Sequence, residues 1–166
     1  MERVLKSMQI KIHQRKSDKN NTELYKKAVL FFADQLLSKT KLKKLKLSII
    51  LKKFKGNASE ESGNCEQITR NNYKIEVNNN KPFQGIISTL AHEMIHVKQG
   101  MYGQLIMKSN GFVWKNKLYK SVDIDKDNQY DNCSWEKEAY TLEPILTKRF
   151  LSEVLVNEVK VFPLSQ

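Results

Sequence analysis

The stretch TLAHEMIHVKQG, residues 89–100, decides how this chain is read. Upstream and within it, Phe83, Ile87, Leu90, Ala91, Met94 and Ile95 recur at steps of three and four, the spacing of one helix face. Pro82 suits the entry of that helix and Gly100 suits its end. His92 and His96 are four apart, so on a helix they stack on one side and offer two imidazole nitrogens to one cation. Glu93 stands beside them. This is the HExxH arrangement, in which two histidines hold zinc and the glutamate is the general base. By chance it occurs in roughly one chain of this length in a few hundred. The plain alternative is two surface histidines on an ordinary amphipathic helix.

A catalytic zinc takes three protein ligands and keeps a position for water, so a further ligand is needed. The chain has 3 histidines, and the third, His13, lies far upstream in a basic segment. Position 102, where a further histidine would extend the motif, is Tyr102. An acidic ligand from a later helix is therefore required, and SWEKEAY, residues 134–140, supplies Glu136 and Glu138. If Glu136 is the ligand, Tyr140 falls one helical turn later, where its hydroxyl can support a ligand or an oxyanion. If Glu138 is the ligand, Leu142 takes that place. The first arrangement is chemically more useful, and the second remains open on the residues alone.

Around the motif, composition describes a globular chain of 166 residues, 40% hydrophobic, fitting one domain over residues 1–166. Residues 1–20 read as a loose basic lead-in. TELYKKAVLFFADQLLS, from Thr22, places Tyr25, Ala28, Val29, Phe32 and Leu36 on one helix face. LKLSIIL (45–51) and YKIEV (73–77) alternate with a period of two and predict half-buried strands. Residues 55–71 read as a turn-rich loop. Between Leu105 and Val122, turn signals at SNG and KNK separate short apolar runs, which predicts hairpin strands. A last helix starts near Trp135 with Ser134 as its cap, and Pro144 is expected to kink or interrupt it. The fold class is α+β, with the HExxH helix packed on a small, mostly antiparallel sheet.

No apolar run of membrane-spanning length and no secretory leader is recognised, so a soluble, cytoplasmic protein is expected. In that setting Cys65 and Cys133 read as free thiols. The net charge is +11, and eight lysines fall between Lys39 and Lys55. Weak nonspecific nucleic-acid binding through a basic surface is one consequence. The strand pattern, however, sends several of these lysines to solvent, and no nucleic-acid motif accompanies them. A basic nucleic-acid-associated or virion protein with a non-catalytic metal is the competing function.

TLAHEMIHVKQ, the tryptophan-containing FVWKNKLY and then WEKEAY together resemble the small SprT-like metallopeptidases, over roughly residues 83–143. HEMIH is similar to the core of the SprT and Spartan proteases themselves. The resemblance implies a zincin-like domain, zinc (Zn2+) at His92 and His96, catalytic Glu93, and a protein or peptide substrate. SprT and Spartan proteins use a third histidine, which has no counterpart here. EKEA is similar instead to the ExxA element of glutamate-ligand zincins, which implies Glu136 as the ligand. The resemblance in fold further implies that a peptide substrate pairs along the strand near Tyr73–Val77.

Overall fold

A computed structural model of the chain describes residues 9–13, 21–55, 61–120 and 132–155. The elements run β1 (Gln9–His13), α1 (Thr22–Leu36), the short α2 (Lys39–Leu42), β2 (Lys46–Lys52), β3 (Gly63–Thr69), β4 (Asn72–Asn78) and α3 (Phe83–Met101). Three short strands follow, β5 (Leu105–Lys108), β6 (Gly111–Trp114) and β7 (Lys117–Lys120). The last long helix, α4 (Ser134–Phe150), continues into a π-helical turn, Leu151–Leu155. The α+β class is therefore found, with both period-two strands and all three long helices where the sequence places them.

The principal sheet differs from expectation. Its order is β1-β2-β4-β3. β1 and β4 both run parallel to β2, and only β3 pairs antiparallel with β4. The sheet is mixed, not mostly antiparallel, because helix α1 returns the chain across the sheet between β1 and β2, as parallel neighbours require. A period of two fixes which face a strand buries and carries no information on the direction of its neighbour. The smaller sheet, β5-β6-β7, is antiparallel throughout, and both of its turns fall at the predicted positions.

Two strands occupy segments read as irregular. β1 lies inside the supposed lead-in, where Ile10 and Ile12 alternate with Gln9, Lys11 and His13. β3 lies inside the supposed loop, and its residues Gly63, Asn64, Cys65, Glu66 and Gln67 carry almost no apolar pattern. An edge strand needs one buried face and one neighbour, so backbone pairing with β4 can form it without strong side-chain alternation. Helix α4 also continues through Pro144. The proline removes one ladder hydrogen bond, while Ala139, Leu146 and Phe150, all buried on the core face, hold the turns on either side. Cys133 takes the N-cap position, and Ser134 is the first helical residue.

Helix α3 is central. It packs on α1 and α4 on one side and on β3 and β4 on the other. Ile87, Leu90, Ala91, Met94, Ile95 and Val97 are fully buried, joined in one core by Leu47, Ile49, Leu51, Tyr73, Ile75 and Val77 from the sheet. The opposite face of the sheet is polar: Lys52 pairs with Glu76 at 2.7 Å, and Lys74 pairs with Glu66. Part of the basic charge is thus met by carboxylates on its own surface. Among the described residues, no helix is long and apolar enough to cross a membrane. Cys65 and Cys133 are not joined in a disulfide.

Phe32 is fully buried on α1, with its ring 5.7 Å from that of Phe150 on α4. It ties the two helices that flank α3. Truncation by Phe32→Ala is expected to cost about 3–5 kcal/mol of folding stability, read from urea denaturation.

Candidate metal centre

His92 and His96 project from the middle of α3 with their rings 4.8 Å apart and their Nε2 atoms 3.1 Å apart. α4 crosses this face. Its residues Glu136, Ala139, Glu143, Leu146 and Phe150 repeat at three- and four-residue steps, so one stripe is apolar at one end and carboxylate-bearing at the other. Glu136 Oε2 lies 3.2 Å from His92 Nε2, and Oε1 lies 3.4 Å from His96 Nε2. One ligand atom from each of His92, His96 and Glu136 falls within 4.8 Å of the others, a spacing compatible with a metal site.

The hydrogen bonds behind the two imidazoles decide their tautomers. His92 Nδ1 faces Glu143 Oε2 at 3.1 Å, and a carboxylate there can only accept. His96 Nδ1 faces Gln99 Oε1 at 2.9 Å. The Gln99 amide cannot be reversed, because its Nε2 donates to Trp135 O and to Glu138 Oε2, both acceptors, at 2.9 Å. Each neutral ring therefore donates from Nδ1, leaving the two Nε2 lone pairs pointed at one another. The third neighbour, Glu136 Oε1, is buried and has no hydrogen-bond partner. Two lone pairs and a buried carboxylate oxygen converging on one point are mutually repulsive unless a cation lies between them. The residues fit a metal ion.

Without a metal, protons take up the same role. Burial works against charge on His92, but the Glu136 and Glu143 carboxylates outweigh it and push its pKa up to about 10. His96 is raised in the same way: burial opposes the charge, and Glu136 more than compensates. For Glu136, burial is overcome by the two imidazoles, which in their protonated form hold its pKa down at about 2. The geometry thus selects for positive charge at this point and for an ionised Glu136.

Glu93, 5% exposed, lines the same cleft. Burial drives its carboxyl up to about 7, against the opposing pull of His96 and His92. Gly63 of β3 lies directly against it. A Cβ there would stand 2.8 Å from Glu93 Oε1 and 2.5 Å from Thr89 Cγ2. Only a glycine lets the edge strand approach the helix this closely. Cys65 also lines the cleft, its thiol raised by burial and by the nearby Glu93 and Glu66.

Of the two glutamates left open by the sequence, Glu136 meets the histidines and Glu138 does not. Glu138 takes Lys98 Nζ at 3.1 Å, Gln99, and Lys115 Nζ at 3.7 Å, so it clamps the outside of the α3–α4 contact. Tyr140 is half exposed, and its ring lies 4.9 Å from that of His92. Glu143, Gln99 and Ser88 join the site without having been expected there. Glu143 accepts from both Ser88 Oγ and His92. The signal was present: Glu143 is seven residues, two turns, after Glu136, and Gln99 is one turn after His96. The strand named as the substrate's partner, near Tyr73–Val77, is held on both edges, by β2 and by β3. The edge beside the cleft belongs to β3, and this corrects the expectation. The cleft itself has a volume of about 910 Å³ and is open to solvent.

Searches against protein-family models, curated proteins and solved structures find no match to this chain.

The Glu93 carboxyl makes a signed prediction for the metal-free protein. Its folded pKa is raised from 4.5 to about 7. Between these values the folded chain keeps a proton that the unfolded chain has released, so stability falls as pH rises through the window and levels off above it. Glu93→Gln removes this penalty. In chelator-treated protein it is expected to stabilise by on the order of 1–3 kcal/mol at pH 8 and to change little at pH 4, measured by denaturation at both pH values.

Proposed function

We propose that this chain is a zinc-dependent metallopeptidase of the zincin type. The observation that carries the reading is the pair of imidazole Nε2 lone pairs converging with a buried, unpartnered Glu136 oxygen, with a buried carboxyl of raised pKa beside them in an open cleft. Two imidazoles and one carboxylate suit zinc and match the ligand number of catalytic zinc sites. A zinc ion held by His92, His96 and Glu136 would supply Lewis acidity, lowering the pKa of water toward neutrality and polarising a carbonyl.

The chain's own groups do the remaining work. Glu93 accepts a proton from the attacking water and returns it to the leaving amine. Its burial makes it a stronger base than an exposed glutamate. Glu143 and Gln99 fix the orientation and tautomer of the two histidines, the outer support that metal-bound imidazoles require. Tyr140, which lines the cleft with its ring beside that of His92, supplies a hydroxyl as the oxyanion's donor. Among the described residues β3 is the outer strand beside the cleft, and its edge offers backbone groups to an extended peptide, which would lie across the cleft as an added strand. The segment similarities to SprT-like metallopeptidases support the same reading.

Zinc content and peptide hydrolysis test this together. Purified protein is expected to hold one zinc per chain, lost in Glu136→Gln and retained in Glu138→Gln. Glu93→Gln should keep its zinc and lose about 10²–10⁴-fold or more in hydrolysis of an unstructured protein substrate. Zinc-free wild type, or a fully active Glu93→Gln, contradicts the proposal. The support from Glu143 gives a separate expectation: Glu143→Gln weakens zinc affinity by about 10–100-fold, measured by competition with a chelating dye.

A further inference from the structure

The cleft is not uniform along its length. Near the start of α3 it is bordered by Gly85, Ser88 and Thr89, with Glu61 and Glu143 close by. Past His96, at the other end, its lining changes to Tyr73, Gly100, Leu105, Met107 and Phe112. The change follows from the chain's path. α3 ends at Met101, Gly103 takes φ +67°, and the chain enters β5 beside the cleft.

On β5, residues two apart share a face, so Leu105 and Met107 point the same way. Their register partners on β6 are Trp114 and Phe112, which continue that face. Part of the face is covered from within: the Phe112 ring lies 5.2 Å from Trp135 on α4, and Trp114 is buried. The rest is open to the cleft. Met107 is 58% exposed, and Leu105 and Phe112 are each only partly buried. An apolar face that packs on a tryptophan at one end and opens into the cleft at the other has a fixed wall and a wet surface. Covering it with another apolar group releases water at no cost in refolding. Methionine, unbranched and polarisable, accommodates side chains of different shapes.

We infer that Leu105, Met107 and Phe112 form a subsite for a large apolar side chain, such as Leu, Met or Phe, next to the scissile bond. The inference rests on the peptidase reading above and specifies its substrate class: extended segments of unfolded or loosely folded protein that expose such residues. Folded proteins bury them, so the subsite selects against intact domains.

The test measures kcat/KM of the zinc-loaded protein on a set of fluorogenic peptides in which each residue flanking the cleavage point is varied among Phe, Leu, Ala and Glu. Binding of the same peptides, fluorescently labelled, to zinc-loaded Glu93→Gln is followed by anisotropy. Wild type is expected to prefer Phe or Leu over Ala at one flanking position by roughly 10- to 100-fold. Met107→Lys should collapse that ratio and raise the relative rate for Glu, while Met107→Leu retains it. Met107 lies on the surface, so both variants should melt with wild type. Hydrolysis with no apolar preference, or with a preference that Met107→Lys leaves intact, overturns the subsite. Apolar-selective binding that depends on Met107 but proceeds without hydrolysis supports the subsite and overturns the peptidase reading. Absence of both hydrolysis and binding overturns the two together.

Discussion

The contact between α3 and α4 is the constraint on which the rest depends. It buries a glutamate against two imidazoles whose acceptor nitrogens face one another. A carboxylate removed from water is costly unless positive charge meets it, and here the positive charge must come from protons or from a metal. Nothing in the hydrophobic packing of Leu90, Met94, Ile95 and Ala139 requires that polar convergence. Replacing these groups by apolar ones of similar volume would serve the core as well or better. The arrangement therefore gives up stability, which is the usual physical mark of a functional site.

The surroundings are organised to keep that convergence from relaxing. Gln99 has no exposure and uses both ends of its amide, one toward His96 and the other toward the backbone and side chains of α4. Glu143 does the same for His92 while holding Ser88. Each histidine is thus gripped from behind by a residue that also links the two helices. The helices cannot slide without breaking these bonds, so the site's geometry is as well defined as the core packing beneath it. Lys41 adds an anchor at the far end of α3, donating to Met101 O while lying over the Tyr102 ring.

How much of this was legible in the sequence follows from which signals are local. The helix carrying His92 and His96 is written twice, in its apolar spacing and in its motif, and both agree with the structure. Glu136 was reachable by elimination among three histidines, with Tyr140 as the tie-breaker, and both residues lie at the imidazoles. Direction and neighbours of strands were not legible, because β1, β2 and β4 encode only their buried faces. β3 was missed for a related reason: an edge strand of Gly, Asn, Cys, Glu and Gln is specified by its partner rather than by itself. That omission displaced the expected peptide-binding edge by one strand. Glu143 and Gln99 were readable as helical neighbours of ligands, but nothing local distinguishes a supporting carboxylate or amide from a solvated one.

The missing side chain at position 63 has a consequence for the cleft as a whole. β3 and α3 approach until the space that a methyl group would fill at Gly63 is taken by Thr89 and the Glu93 carboxylate. β3 is bonded to β4, whose Tyr73, Ile75 and Val77 lie in the same core as α3, so neither wall can retreat alone. The gap between the sheet edge and the helix is therefore a fixed length, the thickness of bare backbone resting on one carboxylate. An extended chain added to that edge inherits this spacing, and with it a fixed height above Glu93. The ruler that sets how far such a backbone would stand from the Glu93 carboxylate is a hydrogen atom.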